Sequence, residues 1–118
     1  MNKKISKFLK IKIEINENFN IGPGKISLLE SIISNGSISS AAKEMGMSYR
    51  KAWKLIKEIN DFSSTKIVIT YTGGKGAGGA KISDKGLLFI KAFRNIERKS
   101  FKAAINEKKY LYELFTKK

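Results

Sequence analysis

The residues best suited to chemistry with a partner fall into two clusters. The first is Ser48-Tyr49-Arg50-Lys51, continued by Lys54 and Lys57, a run of hydroxyl and cationic side chains. The second is Gly73-Gly74-Lys75-Gly76-Ala77-Gly78-Gly79, with Lys81 just beyond it. Arginine presents a planar fork that reaches guanine or a phosphate through two hydrogen bonds, whereas lysine is a flexible point charge suited to phosphate. A glycine-rich loop lets backbone lie close to a sugar–phosphate chain, and Lys75 sets a charge at its tip. These are the means of recognising a polyanion.

Other chemistries fit less well. A nucleotide phosphate loop needs a Gly-Lys pair followed at once by serine or threonine, opening a helix after a strand. Here Gly76 follows Lys75, and Ala80-Lys81-Ile82 reads as a strand. The sequence has no cysteine and no histidine, which removes disulfides, thiol chemistry, the usual zinc ligands and the commonest general base. Asp61, Asp84 and Glu97 stand apart along the chain, so no carboxylate cluster is visible. The expectation is a non-enzyme with no catalytic residue, no metal and no cofactor.

Charge points the same way as the two clusters. Over 118 residues, 24 lysines and arginines face 10 acidic residues, a formal charge of +14. Such a field draws in polyanions and speeds their association. Nucleic acid is the first candidate; an acidic membrane or an acidic protein is the alternative, and 21 of the cations being lysines also suits an ordinary solvated surface. The basic start Met1-Asn2-Lys3-Lys4 is followed by no long apolar region, so no secretory signal is read. Apolar runs are too short to span a membrane. The expectation is a prokaryotic cytoplasmic protein, associated with the nucleoid, with no membrane partner.

The elements that position these residues follow from periodicity. From Leu9 to Ile15 apolar and charged residues alternate, which predicts a strand, and polar Asn16–Asn20 predicts a turn. Gly22-Pro23-Gly24 punctuates the chain, with Pro23 suited to a helix's first turn. Ile26, Leu28, Leu29, Ile32 and Ile33 predict a helix over Lys25–Ser34, ended by Asn35-Gly36. Ser37–Met45 predicts a short second helix, capped by Ser37 or Ser39 and stopped by Gly46. Small Ala41 and Ala42 allow a third helix, Tyr49–Asn60 capped by Ser48, to approach closely. Its apolar stripe is read as Tyr49, Ala52, Trp53, Ile56 and Ile59. Trp53 reads as core; the Tyr49 ring packs while its hydroxyl reaches for phosphate. Lys57 and Glu58 read equally well as a solvated face.

Lys66–Thr72 and Ala80–Ile82 predict a hairpin around the glycine loop, and Ser83 caps a final helix from Asp84 to about Lys109 or beyond. Leu87, Leu88, Ile90, Phe93, Ile96 and Phe101 recur along it. A helix of about 25 residues, roughly 38 Å, is longer than so small a core requires. A second copy of the chain would cover the surplus, which makes those residues the expected dimer contacts; two shorter helices broken near Ser100 are the alternative.

Two short helices, a glycine turn, a basic helix and a hairpin form a winged helix-turn-helix. The expected architecture is mainly α with a small β-sheet, an N-terminal strand and a long C-terminal dimerisation helix. Residues 5–82 form the DNA-binding domain and 83–118 the dimerisation helix and its helical extension. Ser48, Tyr49, Arg50, Lys51 and Lys54 would enter the major groove, supported by Ser37, Ser39 and Lys57, with Gly74, Lys75, Gly76 and Lys81 on the wing.

The stretch Gly36–Trp53, with its Ser-Tyr-Arg-Lys-Ala-Trp unit, resembles the N-terminal DNA-binding domain of the ModE family of molybdate-dependent transcriptional regulators, a LysR-type winged helix. Gly73–Ala80 looks like that family's glycine-rich wing, and Ser83-Asp84-Lys85-Gly86 opens what resembles its long dimerisation helix. The resemblance spans about Leu9 to Glu97. It implies an N-terminal strand joined to the wing sheet and a homodimer formed through the last helix with help from the N-terminal region. It also implies contact with palindromic double-stranded DNA through Ser48, Tyr49, Arg50, Lys51 and Lys75. The family's molybdate-binding domains have no counterpart in Arg98–Lys118, so molybdate sensing is not carried over, and a stand-alone domain or the DNA-binding part of a larger system is expected. The terminal cluster Tyr110, Leu111, Tyr112, Leu114 and Phe115 would pack on the dimer or bind a protein partner. Two other functions fit the same residues: a low-specificity architectural DNA-binding protein, and an adaptor that uses the long helix.

Overall fold

The computed structural model describes residues 8–72 and 78–118. Strands β1 (Ile13–Asn16) and β2 (Phe19–Ile21) are followed by helices α1 (Pro23–Asn35), α2 (Ile38–Met45) and α3 (Tyr49–Phe62). Strands β3 (Val68–Tyr71) and β4 (Gly79–Ile82) then lead into α4 (Asp84–Thr116). The fold is mainly helical with small sheets and a long C-terminal helix, as a winged helix-turn-helix requires.

The start of the chain departs from its expected form. β1 covers only the end of the alternating run, and the polar stretch read as a turn contains β2. Only Glu17 and Asn18 form the turn, closed where the Asn18 backbone N–H donates to the Asn16 side-chain oxygen at 2.8 Å. A side-chain oxygen that copies a backbone turn in this way lets a very short polar segment reverse the chain. β1 and β2 pair with each other, and β3 pairs with β4 in a separate sheet. The N-terminal strand therefore does not join the wing sheet. β2 turns Phe19 and Ile21 inward, and the Phe19 ring stacks on Phe62 at 4.3 Å, tying the hairpin to the end of α3.

The helices begin and end where the sequence supplies caps. Pro23 occupies the first turn of α1. Gly36 and Gly46 adopt φ of 75° and 69°, the left-handed region that ends α1 and α2 and that other residues enter with strain. Ser37 caps α2 and Ser48 caps α3, accepting from the backbone N–H of Ser40 and Lys51 at 3.1 and 3.0 Å. Ser39 lies inside α2 instead. One core joins Ile26, Leu28, Leu29 and Ile32 of α1, Ala41 and Ala42 of α2, Ala52, Ile56 and Ile59 of α3, and Ile90 and Phe93 of α4. Ile33, read as part of the α1 stripe, is exposed.

α4 is one unbroken helix of 33 residues, about 50 Å long, with no interruption at Ser100. Its start is pressed against the wing base. A Cβ on Gly86 would lie 2.5 Å from Ile82 Cγ2 and 3.0 Å from the Ile67 carbonyl oxygen, so only glycine fits. Farther along, Arg94 donates to Glu30 of α1 at 2.6 Å and to Glu97 at 2.6 Å. Glu97, read as an isolated acid, is buried. Ion pairing with both carboxylates raises the Arg94 pKa, so it stays charged throughout the accessible pH range.

Candidate nucleic-acid interface

α2 and α3 are held at a fixed angle by contact through small side chains. Ala41, Ala42 and Ala52 are all buried, so the helices meet almost backbone to backbone. The turn between them is closed by the Met47 N–H donating to the Ala42 carbonyl at 3.0 Å. The far end of α3 is clamped to the wing by Asn60. Its side-chain oxygen accepts from the Ile67 and Val68 N–H groups at 2.8 and 3.0 Å, while its amide donates to the Val68 carbonyl at 3.0 Å. The end of α3 and the base of β3 are therefore bonded to each other. Nothing in the periodicity marks Asn60, although an Asn at a helix end before a β-branched run is a cue for such a clamp.

The wing is also tied to the first helical turn. Ala80 donates its N–H to the Gly36 carbonyl at 2.9 Å, so the segment that begins the helix-turn-helix pairs with β4. A network missed in the sequence fixes α2 to α1. Glu44 accepts hydrogen bonds from Ser31 and from Asn35, the latter at 2.9 Å, and these bonds hold its carboxyl below the usual glutamate range.

On this frame the solvent face of α3 carries Arg50, Lys51, Lys54 and Lys57, all exposed. Lys57 pairs with Asp61 at 2.9 Å, an exposed bond of about 0–1 kcal/mol that a stronger anion readily displaces. Arg50, Lys51 and Lys54 make no ion pair among the described residues. Lys81 is exposed on β4 across from Ile69. Gly74, Lys75 and Gly76, the expected wing tip, lie outside the described residues, as do the first three residues of the expected DNA-binding domain.

Trp53 and Tyr49 correct the sequence reading of the α3 stripe. Trp53 is 44% exposed and Tyr49 56%, so the buried stripe of α3 is Ala52, Ile56 and Ile59. Both rings line an open cleft between α3 and the wing, with Ser37, Ile38 and Ser39 on one side and Thr70, Tyr71, Gly78 and Gly79 on the other. The structure thus gathers Ser37, Ser39 and Tyr49 around one cleft, with Ser48 capping the helix that borders it.

The expected dimer residues divide. Ile90 and Phe93 are buried in the core of the protomer, and Phe101 packs against Phe8 at 5.7 Å. Those three serve the protomer and are not offered to a partner. Leu87, Leu88 and Ile96 are exposed, as are Ile105, Tyr110, Leu111, Tyr112, Leu114 and Phe115. Among the described residues no helix is long and apolar enough to cross a membrane.

No protein-family model matches the chain. Among individual proteins, the DNA-binding transcriptional dual regulator ModE of Escherichia coli (strain K12) is 37% identical over 94 residues, 77% of this chain and 36% of that protein. The chain is a ModE-like winged-helix domain. The molybdenum-pterin-binding protein MopB of Rhodobacter capsulatus is 38% identical over 77 residues, 65% of this chain and 28% of MopB. The ModE-like domain spans about a third of the length of these relatives. In three dimensions it resembles MepR, a transcription regulator of the Staphylococcus aureus multidrug efflux pump MepA, with a TM-score of 0.60 at 14% identity over 82% of this chain and 76% of MepR. At that identity the likeness concerns the fold.

Proposed function

We propose that this ModE-like domain binds double-stranded DNA as a homodimer and regulates transcription from a palindromic operator. The observation that carries the reading is the solvent face of α3, where Arg50, Lys51 and Lys54 stand exposed without ion pairs among the described residues, on a helix clamped to a wing. A rigid cationic helix beside a wing suits major-groove entry, with the N-terminal residues Ser48, Tyr49 and Arg50 nearest the base edges. Ser37, Ser39 and Lys57 border that face, and Lys75 and Lys81, with Gly74 and Gly76, serve the flanking backbone. The net charge of +14 supplies the sequence-independent attraction. The similarity to ModE, described as a DNA-binding transcriptional regulator, supports the same reading.

In this reading residues 5–82 form the DNA-binding unit and 83–118 an arm whose exposed Leu87, Leu88 and Ile96 meet a second copy. The role is non-catalytic and belongs in the cytoplasm, on the nucleoid. The test is selection from random duplexes at about 150 mM salt, where charge-driven binding is weakened. A palindromic motif that disappears in Arg50→Ala is expected. Retention of DNA with no enriched motif would instead favour an architectural protein, to which the lysine-rich surface is also suited.

A further inference from the structure

Three large aromatic side chains stand in water around one cleft: Tyr49 at 56% exposure, Trp53 at 44% and Tyr71 at 51%. A cluster of this kind is unusual, because aromatic rings are the side chains with most to gain from burial. They are also held in place. Trp53 sits in α3, one turn after the Ser48 cap, and α3 is clamped to β3 through Asn60. The Tyr71 ring lies close against Gly79, where a Cβ would fall 2.6–2.8 Å from its ring and hydroxyl atoms. Gly79 is thus a seat for the ring, and any larger residue would push it off. Among the described residues, those that line the cleft carry no charge. The cations Arg50, Lys51 and Lys54 lie outside it, on the solvent face of α3.

We infer that this slot receives one strand of duplex DNA beside the groove entered by α3, with Trp53 and Tyr71 packing against deoxyribose and the Ser37, Ser39 and Tyr49 hydroxyls hydrogen-bonding the adjoining phosphate. The inference rests on the DNA-binding reading above and adds an apolar element to it. An uncharged aromatic wall between cationic flanks matches a backbone in which apolar sugars alternate with phosphates. Its energetic signature differs from that of the lysines. Loss of a cation weakens binding and flattens its salt dependence, whereas loss of an apolar contact weakens binding at every salt concentration alike. Trp53 is therefore a strand-positioning residue, and Gly79 acts through Tyr71.

Trp53 is the sole tryptophan, so its emission reports on the slot directly. The full chain is titrated with a fluorescein-labelled 30-base-pair mixed-sequence duplex at low salt, following label anisotropy for binding and acrylamide quenching of Trp53 for burial. Binding with Trp53 shielded from acrylamide is expected. Trp53→Ala is expected to weaken binding about tenfold with an unchanged salt slope, and Trp53→Phe to retain most of the affinity. Gly79→Ala, which leaves every polar and charged group in place, is expected to weaken binding and to leave Trp53 partly quenchable in the complex. Should Trp53→Ala unfold, the shielding of the wild-type tryptophan and the Gly79→Ala result decide the matter. Duplex bound with Trp53 as quenchable as in the free protein would overturn the slot and leave the DNA reading standing. Failure to bind duplex at all would overturn both.

Discussion

The cleft between α3 and the wing and the last stretch of α4 both leave several aromatic rings in water. In the cleft the rings stand on a braced frame, with the Tyr71 ring close against Gly79 and the end of α3 bonded to the base of β3 by Asn60. Along α4 beyond Phe101, Tyr110, Leu111, Tyr112, Leu114 and Phe115 are exposed on a helix that has left the protomer core behind. The first arrangement is organised before any partner arrives and so suits a rigid one at low entropic cost. The second has its backbone set but its side chains uncovered, and it suits a chain that buries apolar surface against it. The same residue types thus point to different partners, and the difference lies in what holds them.

Removing residues 104–118 keeps Phe101 and the whole protomer core. We expect the shortened chain to fold with little loss of stability while self-association weakens by at least about 100-fold, or roughly 2.7 kcal/mol, read by sedimentation equilibrium. An undiminished dimer would show that the distal arm faces something else.

The join between arm and head offers a sharper probe. The Glu97 side chain is only 4% exposed and depends on Arg94, which also reaches Glu30 of α1. Arg94→Ala strands a buried carboxylate and should cost about 3–5 kcal/mol in denaturant unfolding. The paired change Arg94→Met with Glu97→Leu should recover most of that loss, since a well-packed apolar pair replaces a buried ion pair at little cost. If the single and paired variants were equally unstable, packing rather than charge would hold the arm.

The smallest effect belongs to the head. Glu44 has its pKa lowered in the folded state by Ser31 and Asn35. The folded state therefore binds this proton less readily than the unfolded chain. Its stabilisation is complete above the ordinary glutamate pKa and is lost as pH falls through the lowered folded value. Glu44→Gln should be slightly less stable than wild type near neutrality, and the difference should shrink as pH falls through that acidic window, so the variant loses stability less steeply with acid. Identical acid transitions in the two proteins would remove Glu44 from the account.

Much of this was legible in the sequence because caps and periodicity are local. Ser37, Ser48, Ser83, Gly36 and Gly46 begin or end helices in the structure as their types require. What was misread depends on tertiary context. Trp53 follows Ala52 by about 100° around α3, on the flank of the buried stripe. Periodicity places it beside the core and cannot say whether the wing covers it. β2 was hidden because Phe19 and Ile21 are spaced by polar Asn20 within a polar run, and only an asparagine turn of two residues reveals the hairpin. The Arg94–Glu30–Glu97 network joins residues 64 apart in sequence, beyond the reach of any local pattern. Among the expected dimer contacts, Ile90 and Phe93 share a helical pattern with Leu87 and Ile96, and only packing against α1 and the wing sorts inward from outward.

In the proposed complex two copies present two α3 helices to one duplex. Hydroxyl-radical footprinting of the protein on its selected duplex tests this directly. Two symmetric protected patches are expected, their centres one helical turn apart, about 34–36 Å, or a multiple of it. A single protected patch, or continuous protection with no fixed register, would contradict it.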